Sequence, residues 1–143
     1  MKIFTIGFTQ HSAEDFFEKL KQNYVKRVID IRINKKSQLA GFAKGSDLPF
    51  LLSIAGDIDY IDHAELAPTK ELLKAYRSKD ISWAEFEKKY IKQLFETKVI
   101  AKLKQEEFDG ACLLCSEHKP DLCHRRLQAE ILSKNWKFDL IHL

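Results

Sequence analysis

Short apolar runs alternate along the chain with longer stretches of helical periodicity. Lys2–Gly7 (KIFTIG) reads as a strand, ended by Gly7 where the chain must turn sharply. Ser12-Ala13-Glu14-Asp15 reads as a helix start: Ser12 caps, the acids complement the first turn, and Phe16, Phe17 and Leu20 supply the buried stripe. Residues 27–32 (RVIDIR) predict a second strand, with Val28, Asp30 and Arg32 on one face and Ile29 and Ile31 on the other. A polar loop over 33–45 carries Lys35, Lys36 and Lys44; its length suits a lid or binding loop and equally a surface excursion. A short helix over 47–55, with Pro49 in its first turn, leads to a third strand at 58–61.

Thr69 caps a helix over 70–78. Ser82-Trp83-Ala84-Glu85 is a capping box opening another, with Trp83, Phe86, Tyr90 and Leu94 at helical spacing. A further helix is predicted over 97–106. Ala111–Cys115 (ACLLC), opened by Asp109-Gly110, is a buried strand, 126–132 a helix, and 138–142 the last strand. This alternation predicts one domain over residues 1–143, a Rossmann-like three-layer α/β/α fold on a mostly parallel sheet of about five strands. Strand order is left open.

Composition changes the picture little. With 143 residues the chain can bury a full core without disulfides or metal, and 45% hydrophobic with 31% charged residues suits an ordinary soluble protein. The net charge of +3 permits an anionic ligand but is milder than the footprint of a dedicated nucleic-acid binder. No apolar run approaches the ~20 residues of a membrane span, so no membrane partner is expected. The start, Met1-Lys2-Ile3-Phe4, shows no signal peptide, and three cysteines suit a reducing cytoplasm. Oligomeric state is not legible.

Parallel strands would gather their C-terminal ends at one rim, where open α/β sheets bind ligands. That rim would receive Thr9, Gln10 and His11, then Asp30 and Arg32, then His63 and Glu65, and finally Cys115, Ser116 and Glu117 with 123–126 beyond. Asp30 inside a covered strand needs a partner, and Arg32 is close enough to be one. Cys115, at a strand end facing a helix start and arginines, is a candidate nucleophile; its bland alternative is a small buried hydrophobe. Cys112 and Cys115 point to opposite faces of a strand, so their Cys-x-x-Cys is no redox pair. Glu65 and Glu117 are candidates for general acid and base.

Cys115, His118, Cys123 and His124 have zinc-type donors. However, seven residues separate Cys115 from Cys123, unlike the short paired spacings of zinc sites, so neither metal nor cofactor is expected. An anion is favoured by the helix start at 123–126 and its arginines. The helical wheel puts Cys123 and His124 on the side of Leu127 and Ile131, Arg126 on the flank where Glu130 can pair with it, and Arg125 outward unless it lies in the very first turn. An arginine pairing with Asp30 or Glu117 purely to hold the rim is an equal reading. The chain has no Gly-x-Gly-x-x-Gly, P-loop or Gly-x-Ser-x-Gly elbow.

Thr5-Ile6-Gly7, Ile29-Asp30-Ile31-Arg32, Glu65-Leu66, and Leu114-Cys115-Ser116-Glu117 followed by Cys123-His124-Arg125 resemble the bacterial and archaeal family called domain of unknown function 488. The resemblance covers nearly the whole chain. Phe8 stands where many members carry His, so no role for that imidazole carries over. The resemblance implies a prokaryotic α/β domain with a pocket lined by Asp30, Arg32, Glu65, Cys115, Glu117, Cys123, His124 and Arg125, and it implies no activity.

The leading expectation is a small cytoplasmic enzyme, a Cys-dependent or acid/base transferase or hydrolase, acting on an anionic substrate, phosphate-bearing or nucleotide-like, at the C-terminal rim of the sheet. Arg32 and Arg125 bind the anion, Glu65 or Glu117 moves protons, and Cys115 is nucleophile or pocket wall. The runner-up is a non-catalytic module that recognises a nucleotide or a nucleic-acid end, which Lys35, Lys36 and Lys44 favour slightly. A third reading makes the cluster a buried polar network that fixes the fold.

Overall fold

The computed structural model describes residues 1–9, 11–33, 35, 41–115 and 123–143. Five strands, β1 (Lys2–Gly7), β2 (Arg27–Asp30), β3 (Asp59–Asp62), β4 (Ala111–Cys115) and β5 (Asp139–His142), form one sheet in the order β3-β2-β4-β1-β5. Every pairing is parallel. Burial follows that order. All of β4, the central strand, is buried, whereas edge strands β3 and β5 have exposed ends and half-buried middles. An unbroken apolar run such as ACLLC can lie only where both faces are covered.

Two cores flank the sheet. Helices α1 (Ala13–Gln22) and α2 (Leu48–Gly56) cover Phe4, Ile6, Val28, Cys112 and Leu114. On the other face α4 (Trp83–Glu96) and α6 (His124–Trp136), with α3 (Lys70–Arg77) packed on α4, cover Ile3, Ile29, Leu113 and Cys115. Cys112 and Cys115 thus fall in opposite cores, as strand alternation requires. The α/β/α sandwich on a parallel five-stranded sheet is the expected architecture.

Local chemistry accounts for most boundaries. The hydroxyls of Ser12, Thr69 and Ser82 accept hydrogen bonds from the backbone N–H of Asp15, Leu72 and Glu85, so three of the predicted caps form. Pro49 sits in the first turn of α2. Gly110 takes a φ of 75° just before β4, where an added Cβ would lie 2.9 Å from the Lys26 side chain. Its N–H donates to Lys2 and its carbonyl accepts from Lys26, inserting β4 between the first two strands.

One predicted helix does not form. Residues 97–106 break into a 3₁₀ turn, Ile100–Lys102, and a single turn α5, Gln105–Phe108. Thr97 caps α4, Lys98 adopts a left-handed φ of 54°, and Leu103 and Lys104 are extended. The α6 helix begins two residues earlier than its apolar spacing suggests, at His124. That start brings Arg125 into the first turn.

Candidate functional site

The parallel sheet brings the C-terminal ends of all five strands to one rim, with Cys115 at its centre. Cys115 pairs in register with Gly7, and its carbonyl accepts from the Phe8 N–H. On the α3/α4/α6 side of that rim opens a cavity of about 340 Å³. This is the size of a small-molecule site.

Its floor is Cys115, Cys123 and His124. Cys123 is the residue before α6 and His124 is its first residue, so the helix start holds both against the end of β4. His124 Nε2 donates to the Ile31 carbonyl at 3.1 Å. A carbonyl only accepts, so the hydrogen is on Nε2 and the lone pair on Nδ1. The Tyr90 ring meets His124 edge to face, and the Tyr90 hydroxyl donates to the Leu66 carbonyl at 2.5 Å. Burial lowers the His124 pKa from 6.5 to about 4; its bond to Ile31 opposes this, and the charges of Arg125 and Arg77 reinforce it. Burial first, then hydrogen bonding with Cys115, pushes the Cys123 thiol well up.

The buried imidazole makes stability depend on pH. The unfolded chain takes up a proton near pH 6.5, whereas the folded one refuses it until about pH 4. Stability is therefore full above pH 6.5 and falls as the pH drops from there toward 4. Urea unfolding of EDTA-treated protein across this window should lose more stability in wild type than in His124→Gln. Equal slopes would contradict the buried neutral imidazole.

The cavity wall is aromatic. Trp83 and Phe86 stack at 5.0 Å, and Tyr76 packs on both at 5.4 and 5.2 Å. Lys70, Lys74 and Arg77 of α3 line the same cavity. Among the described residues none of the three forms an ion pair. These cations are absent from the site that strand ends and motifs predict. Their i, i+4, i+7 spacing is the one signal the sequence offers, since it lines one side of a helix.

Arg32 also lines the cavity, but its guanidinium is engaged. Nε and Nη2 donate to the two Asp30 oxygens at 2.8 and 2.7 Å, and its backbone N–H reaches the same carboxylate at 3.1 Å. Tyr60 adds a hydroxyl donor to Asp30 at 2.6 Å. Burial and that carboxylate push the Tyr60 hydroxyl up, keeping it protonated. The Arg32 guanidinium lies 5.3 Å from the centre of the Phe8 ring, which gives the residue at this departure position a physical task.

Other residues expected at the rim are more scattered. Arg125 is fully buried in the first turn of α6, outside the cavity lining, while Arg126 pairs with Glu130 at 3.1 Å as predicted. Glu65 does not join the cavity. It sits on the 3₁₀ turn after β3 with its side chain 52% exposed, hydrogen-bonded to His63. Gln10, Lys36, Ser116, Glu117 and His118 lie outside the described residues. Lys35 is neutralised by Asp62 at 2.6 Å. Among the described residues no helix is long and apolar enough to cross a membrane.

Neither the curated proteins nor the solved structures contain a match to this chain. The family profile described as Domain of unknown function DUF488 matches residues 12–132, a span that contains α1, the Asp30–Arg32 pair, the cationic face of α3 and all three floor residues, and the chain belongs to that family.

Proposed function

We propose that this chain is a small cytoplasmic enzyme of prokaryotes acting on an anionic, phosphate-bearing and ring-containing molecule, nucleotide-like in kind, held in the rim cavity. The observation that carries the reading is the set of three cations on α3, Lys70, Lys74 and Arg77, lining the same cavity as the aromatic rings of Tyr76, Trp83 and Phe86. Cations with no carboxylate partner among the described residues attract phosphate, and stacked rings provide a flat apolar surface for a base. The phosphate lies along α3, and the reacting end faces Cys115, Cys123 and His124.

Arg32 bounds the pocket while serving the fold, since Asp30 occupies two of its nitrogens. For these two residues the structural-network reading is the better one. A nucleic-acid module gains little support, because Lys35 is already paired with Asp62.

Calorimetric titration of the EDTA-treated protein with adenosine 5′-monophosphate and, separately, adenosine tests the reading. Phosphate contacts to charged groups contribute about 1.5–3 kcal/mol each, so the monophosphate should bind at least about tenfold more tightly. Equal affinity, or no binding of either, would remove the anion from the reading.

A further inference from the structure

We propose that Cys115, Cys123 and His124 form a three-ligand metal centre suited to zinc, with its fourth position open to the rim cavity. One donor atom from each of the three lies within 4.8 Å of the other two. A tetrahedral zinc site with arms of about 2.0–2.3 Å has donor-to-donor edges of roughly 3.3–3.8 Å. The three atoms therefore need to close by at most about 1.5 Å, within the reach of side-chain rotation. The sequence spacing that speaks against zinc treats the donors as one local motif. In the fold they come from two elements, the end of β4 and the start of α6, packed at the centre of the rim.

A second observation is independent of that distance. A metal-bound imidazole almost always gives its other ring N–H to a carbonyl or carboxylate, which fixes the tautomer and the ring plane. In His124 Nε2 donates to the Ile31 carbonyl at 3.1 Å, which leaves Nδ1 with its lone pair as the nitrogen that would take a metal. Tyr90 meets the imidazole edge to face and is held in turn by Leu66 and Gln128. The imidazole is thus oriented before any metal arrives.

The donor chemistry selects the ion. Two sulfurs and one imidazole nitrogen are soft to borderline donors, which suit zinc and do not suit magnesium or calcium. On binding, two S–H bonds break, two zinc–sulfur bonds form, and two protons pass to the buffer; His124 contributes a lone pair and releases no proton. The dication and two thiolates then sum to zero charge, which a buried floor can hold where an isolated charge could not. All three donors line the cavity, so the remaining position faces it. Three protein ligands and one open position are the arrangement of catalytic rather than structural zinc.

What occupies that fourth position rests on the proposed function; the metal centre itself does not. The test uses purified protein under a thiol reductant that does not chelate, with cobalt(II) and zinc and no anion added. Cobalt should produce thiolate-to-metal charge-transfer absorption and the intense visible bands of a tetrahedral site, titrating at one ion per chain, and zinc should abolish both. Cys115→Ser, Cys123→Ser and His124→Ala should each weaken binding at least about 100-fold, beyond the loss seen for residues that only support a ligand. Cys112→Ala, in the opposite core, should keep the bands.

Absence of thiolate charge transfer in the wild-type chain would overturn the proposal without any variant. Bands that survive both cysteine substitutions would overturn it as well. Zinc binding with no response to adenosine monophosphate would sustain the metal centre and defeat the anion reading. Monophosphate binding by metal-free protein that gives no cobalt spectrum would do the reverse.

Discussion

Asp30→Ala is expected to lower the unfolding free energy by about 3–5 kcal/mol, the cost of breaking a buried ion pair from one side. Asp30 is fully buried and Arg32 only 2% exposed. The carboxylate accepts four hydrogen bonds: three from Arg32 and one from the Tyr60 hydroxyl. Its removal leaves a buried guanidinium facing the Phe8 ring, a contact that offsets about 0.5–2 kcal/mol. Urea unfolding followed by circular dichroism measures the loss. The double variant Asp30→Leu with Arg32→Met should lose less than Asp30→Ala alone, because no charge is then left buried. A loss under about 1 kcal/mol for Asp30→Ala would mean that solvent reaches the pair.

That pair is legible in the sequence itself. Asp30 and Arg32 lie two apart in an apolar run, and a covered carboxylate needs the guanidinium, although β2 ends at Asp30, two residues short of the predicted strand. The central strand is legible too, since ACLLC has no polar face to offer solvent. Other features depend on where elements begin and how they meet. Arg125 and Arg126 exchange roles according to the first residue of α6; with His124 first, Arg125 enters the buried first turn and Arg126 reaches Glu130. Glu65 follows a strand end, but the 3₁₀ turn Ala64–Leu66 sends it to solvent beside His63. The cations of α3 are hard to single out in the sequence because a charged helix face is usually just solvated. Only the packing of α3 on α4 across from α6 turns that face into a cavity wall.

The second large effect concerns those cations. Lys70→Glu with Arg77→Glu should weaken adenosine monophosphate binding at least about 100-fold. Each change removes one attractive contact of about 1.5 kcal/mol, at the low end because the groups are exposed, and adds a repulsive carboxylate. The fold should tolerate the pair. Lys70 opens α3 and Arg77 closes it, so a carboxylate gained at the helix start is favourable by about as much as one at its end is unfavourable. Neither side chain forms an ion pair with a described residue that the change would break. Thermal unfolding should therefore move by only a few degrees at most while binding collapses.

The anion reading stands on α3 and the cysteine–histidine floor bounding one shared cavity. Titration of wild type and the Lys70→Glu/Arg77→Glu variant with adenosine monophosphate, on protein of equal thermal stability, tests it most directly. Saturable binding by the wild type and at least about a 100-fold loss in the variant are predicted. Equal affinity in the two proteins would contradict it.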